Sequence, residues 1–382
     1  MKTLLHIFTV ADSFVFMRGQ LAYMKERGYH IHGITSPGPL VDTVRQREQI
    51  PIHTVEMPRQ ITPGQDLKAL YQMVRLIRKI KPDIVHAHTP KGGLLGMIAA
   101  LIAGVDARIY HMRGLPLITA TGHRKLLLNA TERVSCTIAH RVITVGHSIR
   151  QTALEEALCT PRKIEVIGQG SSNGVDAEGL FNPAELPEDA RAETRQRYGI
   201  PDDATVIGFV GRLVRDKGIL ELADAWARLR EAHPDAHLLL VGPFEERDAV
   251  PDQVRRQLID DPRIHLPGYV SDTPAHYAAM DIYTLPTHRE GFPNSPLEAA
   301  AMELPVVASS IGPCQEAVAH GQTGAIVPVK DAAALANALE RYIQDPVLRR
   351  HHGKAGRARV LEEFRPERIW EGIAEVYESL SA

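Results

Sequence analysis

Short apolar runs rich in β-branched residues alternate with helix-length amphipathic segments along almost the whole chain, and the alternation stops once and restarts. In the first half TLLHIFTV, IHGITS, DIVHAH, ARIYHM, RVITVG and IEVIGQG read as strands. Between them lie segments such as LKALYQMVRLIRKIK, with Leu67, Leu70, Met73, Val74 and Ile77 at helical spacing. Such repetition builds a parallel sheet covered by helices, because a crossover is needed before the next strand can run in the same direction. Residues 173–190, NGVDAEGLFNPAELPEDA, supply Gly, Asn and Pro with little periodicity and read as a linker. Beyond it TVIGFVG, AHLLLVG, IHLPGYV, DIYTLP, PVVASS and GAIVPV read as strands. GILELADAWARLREAH, PLEAAAMEL, DAAALANALERYIQD and the stretch from Pro366 to Leu380 read as helices.

A chain of 382 residues is long for one core. The reading is two open α/β sheets in series, residues 1–182 and 183–365, with the terminal helix 366–382 packing back on the first. Ligands of such sheets bind outside the carboxyl ends of the strands, here expected in a cleft between the two.

With 44% apolar and 24% charged residues the composition is that of a soluble globular protein. The longest apolar run, Leu94 to Ala103, is about half what a bilayer span requires. His6 and Asp12 interrupt the opening MKTLLHIFTV, which therefore reads as a buried first strand rather than a signal peptide. Cys136, Cys159 and Cys314 share no metal or redox spacing, so a reducing cytoplasm is the expected compartment. Charge is unevenly spread: residues 1–182 hold 22 Lys and Arg against 14 Asp and Glu, a balance of +8, and residues 183–382 a balance of −10. The first half should favour anionic surfaces, of which a membrane is one.

Two stretches of the second half carry chemistry. FVGRLVRDKG, residues 209–218, runs strand, Gly211 turn, basic loop and helix start, so that Arg212 and Lys217 can both meet an anion at the helix N-terminus. A diphosphate fits; two solvated surface cations are the plainer alternative. THREGFPNSPLEAA, residues 287–300, sets Glu290 and Glu298 eight positions apart. They are open to reading as an acid/base pair, as metal ligands, or as one ligand-binding Glu before an ordinary helix start. Ser295 and Glu298 satisfy the capping-box spacing with Pro296 at the first helical position, whereas Glu290 sits in a loop at a strand's carboxyl end, where ligands bind.

In the first half His86, His88, His111 and Arg113 stand at strand ends. No third ligand is evident beside His86 and His88, so no metal is expected. Lys91-Gly92-Gly93 opens a helix and suits an anion, and Ser13 follows the first strand where a dinucleotide fold would carry G-x-G-x-x-G; that fingerprint is missing.

GRLVRDKG, GYVSD, SNGVDAEGLFNP and MDIYTLPTHREGFPNSPLEAAAMELPVVAS resemble the family 4 retaining glycosyltransferases of the GT-B fold, with EGFPNSPLE matching the family's E-x7-E motif. The resemblance implies two Rossmann-like doubly wound domains facing each other across a cleft, the first binding the acceptor and the second the nucleotide sugar. It implies that Arg212 and Lys217 hold the donor diphosphate, Glu290 the donor sugar hydroxyls beside the backbone of Gly291, Phe292, Pro293 and Asn294, and Glu298 the ribose. Ser295 and Leu297 would help seat the phosphates, with Tyr269 and Val270 near the base. Where the family has His-Gly, this chain has Arg113-Gly114, with His111 the nearby candidate to face the reacting carbon. Ser13, His88, Lys91, Gly92 and Gly93 would belong to the acceptor side.

The function so implied is transfer of a sugar from a nucleotide diphosphate, UDP being expected, to a polyprenyl-diphosphate-linked glycan precursor. No cofactor, metal or nucleic-acid partner is expected, and the protein would work in the cytoplasm, peripheral on the inner membrane face. A soluble acceptor, a GT-B nucleotide-sugar epimerase and a non-catalytic sugar-binding protein are the alternatives.

Overall fold

The apolar runs of the first half become strands of one sheet, shown by a computed structural model that describes residues 2–58, 60 and 62–380. In chain order they are β1 Lys2–Ile7, β2 Tyr29–Thr35, β3 Ile52–Thr54, β4 Ile84–His88, β5 Ala107–Met112, β6 Arg141–Thr144 and β7 Ile164–Val166. All pair in parallel, in the order β3-β2-β1-β4-β5-β6-β7. β3 is absent from the sequence reading because three residues, one of them His53, give too short an apolar run to register.

The second half forms β8 Thr205–Val210, β9 Ala236–Val241, β10 Ile264–Gly268, β11 Ile282–Leu285, β12 Val306–Ser309 and β13 Gly324–Val327. This sheet is also parallel, in the order β10-β9-β8-β11-β12-β13. Each sheet reverses its strand order once, between β1 and β4 and between β8 and β11, and ligands of open α/β sheets bind at the carboxyl ends of the strands beside such a reversal.

Two compact units result, Met1–Gly174 with Pro366–Ala382, and Val175–Arg365. The division falls at Gly174 rather than at 182 because the expected linker is packed structure. Val175 N donates to Phe364 O at 2.8 Å, Phe181 is buried, and Arg357 donates to Asn182 Oδ1 at 2.8 Å. The helix Pro366–Ser379 buries Ile369, Ile373 and Tyr377 in a core with Leu4, Leu21 and Tyr29 of the first unit. Trp370 lies over Gly19 (φ +79°), where a Cβ would stand 2.5 Å from the ring, and its Nε1 donates to Asn173 Oδ1. Residues 381 and 382 lie outside the described residues.

Helical registers differ from the sequence reading in two places. In the helix Pro63–Ile80 the buried positions are Ala69, Met73, Val74 and Ile77, and Leu67 is 69% exposed. The helix Pro346–Glu363 escaped the sequence reading because its contact face carries glycines instead of large apolar residues. A Cβ at Gly353 would come within 1.9 Å of Glu303 O, so only a bare backbone fits there.

Candidate functional site

The second unit's crevice starts where β8 ends. Gly211 and Gly242 (φ +142°) follow β8 and β9, and their backbones pass so close that a Cβ at 242 would stand 1.9 Å from Gly211 O. The chain then turns through Arg215–Lys217 to Gly218 (φ +75°), where a Cβ would meet Pro286 O at 2.0 Å. The Asp216-Lys217-Gly218 turn is thereby pressed against the loop after β11. Hydrogen bonds tie the two loops: Thr287 Oγ1 and His288 N both donate to Asp216 O, at 3.0 and 2.8 Å, and Arg289 pairs with Asp216 Oδ2 at 2.8 Å. His288 Nε2 is 3.0 Å from Glu221 Oε1, on the helix Ile219–Ala232.

This lacing brings Lys217 to Glu290, whose Oε1 accepts a hydrogen bond from Nζ; the side chains are only 20% and 11% exposed. Arg212 reaches instead to Glu245 Oε2 at 2.9 Å, and that pair is open to solvent. Both expected diphosphate cations thus have carboxylate partners within the chain. Glu245, Asp216 and Glu221 were missed by sequence reasoning, since nothing in their spacing marks them.

The helix Asn294–Ala301 begins beside Glu290, and its start corrects the capping-box reading. Its N-cap is Pro293, without a side-chain cap bond, and Ser295 and Pro296 are already helical. Proline is harmless there because the first N–H groups of a helix lack intrahelical partners anyway. Glu298 instead accepts a hydrogen bond from Tyr277 Oη at 2.8 Å. Burial raises its pKa above the ordinary carboxylate value, and the Tyr277 bond works against that rise. Leu297 is fully buried, Phe292 packs on Phe364, and Asn294 Oδ1 is buried without a partner. A helix N-terminus, Lys217, Arg212 and an unpartnered amide at the β8–β11 switch point together suit an anionic, hydroxyl-bearing ligand. Tyr269, 79% exposed, and Val270 line a hollow with Tyr198 and His276 that includes none of Arg212, Lys217, Glu290 or Glu298.

In the first unit, three candidates for anion contact are engaged elsewhere. Lys91 pairs with Asp66 at 2.6 Å, Gly92 N donates to Thr9 Oγ1 at 3.1 Å and Gly93 N to Thr89 O at 2.7 Å. A Cβ at Gly93 would stand 2.2 Å from the Tyr110 ring, so the glycine pair lets the helix Pro90–Ala103 lie on the sheet. Ser13 sits in the short turn Ala11–Met17, partly buried.

The parallel register sets His6 opposite His86 and His88 opposite His111. This supplies the third imidazole that the sequence reading lacked: His6, His86 and His88 offer ring nitrogens within 4.8 Å of one another. The signal was legible as a histidine near the carboxyl end of each of three strands. Arg113 Nε can only donate, so His88 Nδ1 accepts at 3.3 Å. His88 Nε2–H then donates to His6 Nδ1 at 3.0 Å, which puts the His6 proton on Nε2, a buried atom without a partner. Both His88 nitrogens are therefore committed, and a guanidinium stands beside them, which disfavours a dication there. Burial first, then the neighbouring charge, lowers all four imidazole pKa values, that of His6 to about 3. His111, 1% exposed, has neither ring nitrogen partnered.

Two doubly wound parallel sheets in tandem are the architecture of GT-B glycosyltransferases, and solved structures of such enzymes superpose on the full chain. Anabaena Alr3699/HepE in complex with UDP and glucose matches with a TM-score of 0.82 at 22% identity, covering 99% of this chain and 100% of that one. Sucrose-phosphate synthase from Thermosynechococcus elongatus matches at 0.83 and 23%, covering 100% and 99%. The family described as Glycosyl transferases group 1 matches residues 204–345, and Glycosyl transferase 4-like matches residues 6–145. The capsular polysaccharide biosynthesis glycosyltransferase CapM of Staphylococcus aureus is 34% identical over 376 residues, 98% of this chain and 97% of that protein. The Escherichia coli UDP-Gal:alpha-D-GlcNAc-diphosphoundecaprenol alpha-1,3-galactosyltransferase is 31% identical over 293 residues, 76% and 74% of the two chains. The chain belongs to the family 4 glycosyltransferases of the GT-B fold and is a glycosyltransferase.

Proposed function

We propose that the protein is a retaining transferase that moves a sugar from a UDP-sugar to a polyprenyl-diphosphate-linked glycan precursor during assembly of a cell-surface polysaccharide. The observation that carries this reading is the Lys217–Glu290 pair beside the N-terminus of the helix Asn294–Ala301. Breaking a sugar–diphosphate bond builds negative charge on the leaving oxygen, and Lys217, Arg212 and the helix start at Asn294 and Ser295 are suited to receive it. No metal is required for that step. Glu290, with the backbone of Gly291 to Asn294, takes the donor sugar hydroxyls; Glu298 takes the ribose, and Tyr269 and Val270 flank the base. The acceptor hydroxyl attacks from the leaving group's face and passes its proton to the departing phosphate oxygen, so no covalent enzyme intermediate forms. The names of the Staphylococcus and Escherichia relatives support a polysaccharide pathway and a lipid diphosphate acceptor.

A lipid acceptor calls for a membrane-facing surface. The helices Pro63–Ile80, Pro90–Ala103 and Gly122–Ile138 pack side by side in the first unit. They expose Leu67, Tyr71, Leu101, Ile102, Leu126 and Leu127 among Lys68, Arg75 and Arg124. Among the described residues no helix is long and apolar enough to cross a membrane. Reversible docking of this basic, apolar face on anionic lipid fits both facts. Incubation with UDP-sugars, with and without bacterial lipid extract, tests the reading by UDP release. Release only with lipid supports it, equal release without lipid transfers support to a soluble acceptor or an epimerase, and no release with any UDP-sugar overturns it.

A further inference from the structure

The first unit contains a cation that the described residues leave unbalanced. Arg113 donates from Nε to His88 Nδ1 and from Nη1 to Ser172 O at 3.1 Å, while Nη2 is buried without a partner. Two other partly buried cations of the unit have carboxylate partners, Lys91 with Asp66 and Lys125 with Glu156. Arg108 also lacks a carboxylate at bonding distance, but the carbonyls of Val105 and Ile138 and the ring of His140 close its guanidinium. Among the described residues no carboxylate is hydrogen-bonded to Arg113. His6, His86, His88 and His111 are kept neutral by burial, and burial likewise holds the Tyr377 hydroxyl protonated. Burial lowers the guanidinium pKa to about 9. A charge held in such surroundings is costly unless an opposite charge arrives.

Its position says where that charge comes from. The guanidinium lies 5.8 Å from the Phe8 ring and 5.4 Å from that of Phe16, and it bonds to His88. Phe8 directly follows β1 and His88 ends β4, the two strands at the switch point of the first sheet. Open α/β sheets bind ligands there. A planar guanidinium with an unpartnered N–H, close to two aromatic rings, is chemically suited to an oxyanion.

We infer that Arg113 receives a phosphoryl group of the acceptor, so that the first unit carries a phosphate site of its own, separate from the Lys217 site. The inference rests on the reading of the acceptor as a lipid diphosphate, and it makes Arg113 a determinant of acceptor choice. His88 then acts as a positioning residue: it orients Arg113 through the bond to Nε without neutralising it, leaving its charge for the ligand.

Calorimetric titration of the whole protein with inorganic pyrophosphate, in the Arg212→Ala/Lys217→Ala background that disables the second unit's cations, isolates this site. Binding should weaken at least ~10-fold when Arg113→Gln is added and only a few-fold with Arg113→Lys, which keeps the charge but loses the fork. Without ligand, Arg113→Gln should melt no lower than its parent background, because an uncompensated charge has been removed. A parallel titration with glucuronate separates phosphoryl from carboxylate recognition. The inference falls if pyrophosphate does not bind, if Arg113→Gln binds it unchanged, if glucuronate binds more tightly, or if both Arg113 variants fail to fold while their background folds. UDP binding to the unmodified protein is read separately, so failure of the donor reading leaves this result interpretable.

Discussion

Lys217 and Glu290 are hydrogen-bonded across 73 positions of sequence, one from the loop after β8 and the other from the loop after β11. Adjacent parallel strands deliver both residues to one crevice, and the bonds from Thr287, His288 and Arg289 to Asp216 hold the loops together. On the proposed reading, a diphosphate entering beside Lys217 would compete with Glu290 for the ammonium and free the carboxylate for sugar hydroxyls. Glu290→Gln should therefore lower kcat/KM by roughly 10²–10³, because hydroxyl binding that tightens as charge develops is lost. Steady-state kinetics and a thermal melt check this: a full rate in the variant would remove Glu290 from the donor site.

Gly218 tests the loop packing. Alanine there meets both an unfavourable φ of +75° and a carbonyl oxygen 2.0 Å from its Cβ. Gly218→Ala should cost about 2–4 kcal/mol in urea unfolding and depress activity further than stability, since the loops bearing Lys217 and Glu290 must separate.

Glu132 gives stability a pH dependence. Its carboxyl is buried and accepts from Tyr110 Oη at 2.7 Å; burial raises its pKa to about 7. The folded value lies above the ordinary 4.5, so the folded state holds the proton more tightly and this contribution is full below about pH 4.5. It is lost as pH rises from 4.5 through 7, by up to about 3 kcal/mol. Glu132→Gln keeps a bond to Tyr110 and should flatten that slope, giving a smaller difference between urea midpoints at pH 5 and pH 8 than the parent shows.

The exposed apolar face predicts vesicle binding. The protein should co-sediment with anionic vesicles less strongly as salt rises, and Leu67→Asp with Leu126→Asp should abolish most of that binding. Both positions are 69% exposed, so melting should stay within a few degrees of the parent. Equal sedimentation of the variant would leave this face without a membrane role.

By itself the sequence determined the elements and their order. Twelve of the thirteen strands, the restart after residue 190 and the candidate residues Arg212, Lys217, Glu290 and Glu298 were legible, because periodicity, turn residues and the E-x7-E spacing are local patterns. Tertiary structure decided what each of those groups meets. The register of three parallel strands gathered His6, His86, His88 and His111 around Arg113, and the chain's return through Pro366–Ser379 brought Tyr377 to His86. Lys91 pairs with Asp66, Glu298 with Tyr277 and Arg212 with Glu245, partners that the local spacings do not specify. Local spacing reports which face of an element a side chain occupies, whereas partners and burial depend on segments many tens of residues away. A helix such as Pro346–Glu363, which packs through Gly353 against a distant carbonyl, leaves almost no local trace. The charge on Arg113 could be counted in the sequence; that no described residue answers it became visible only when the strands closed around it.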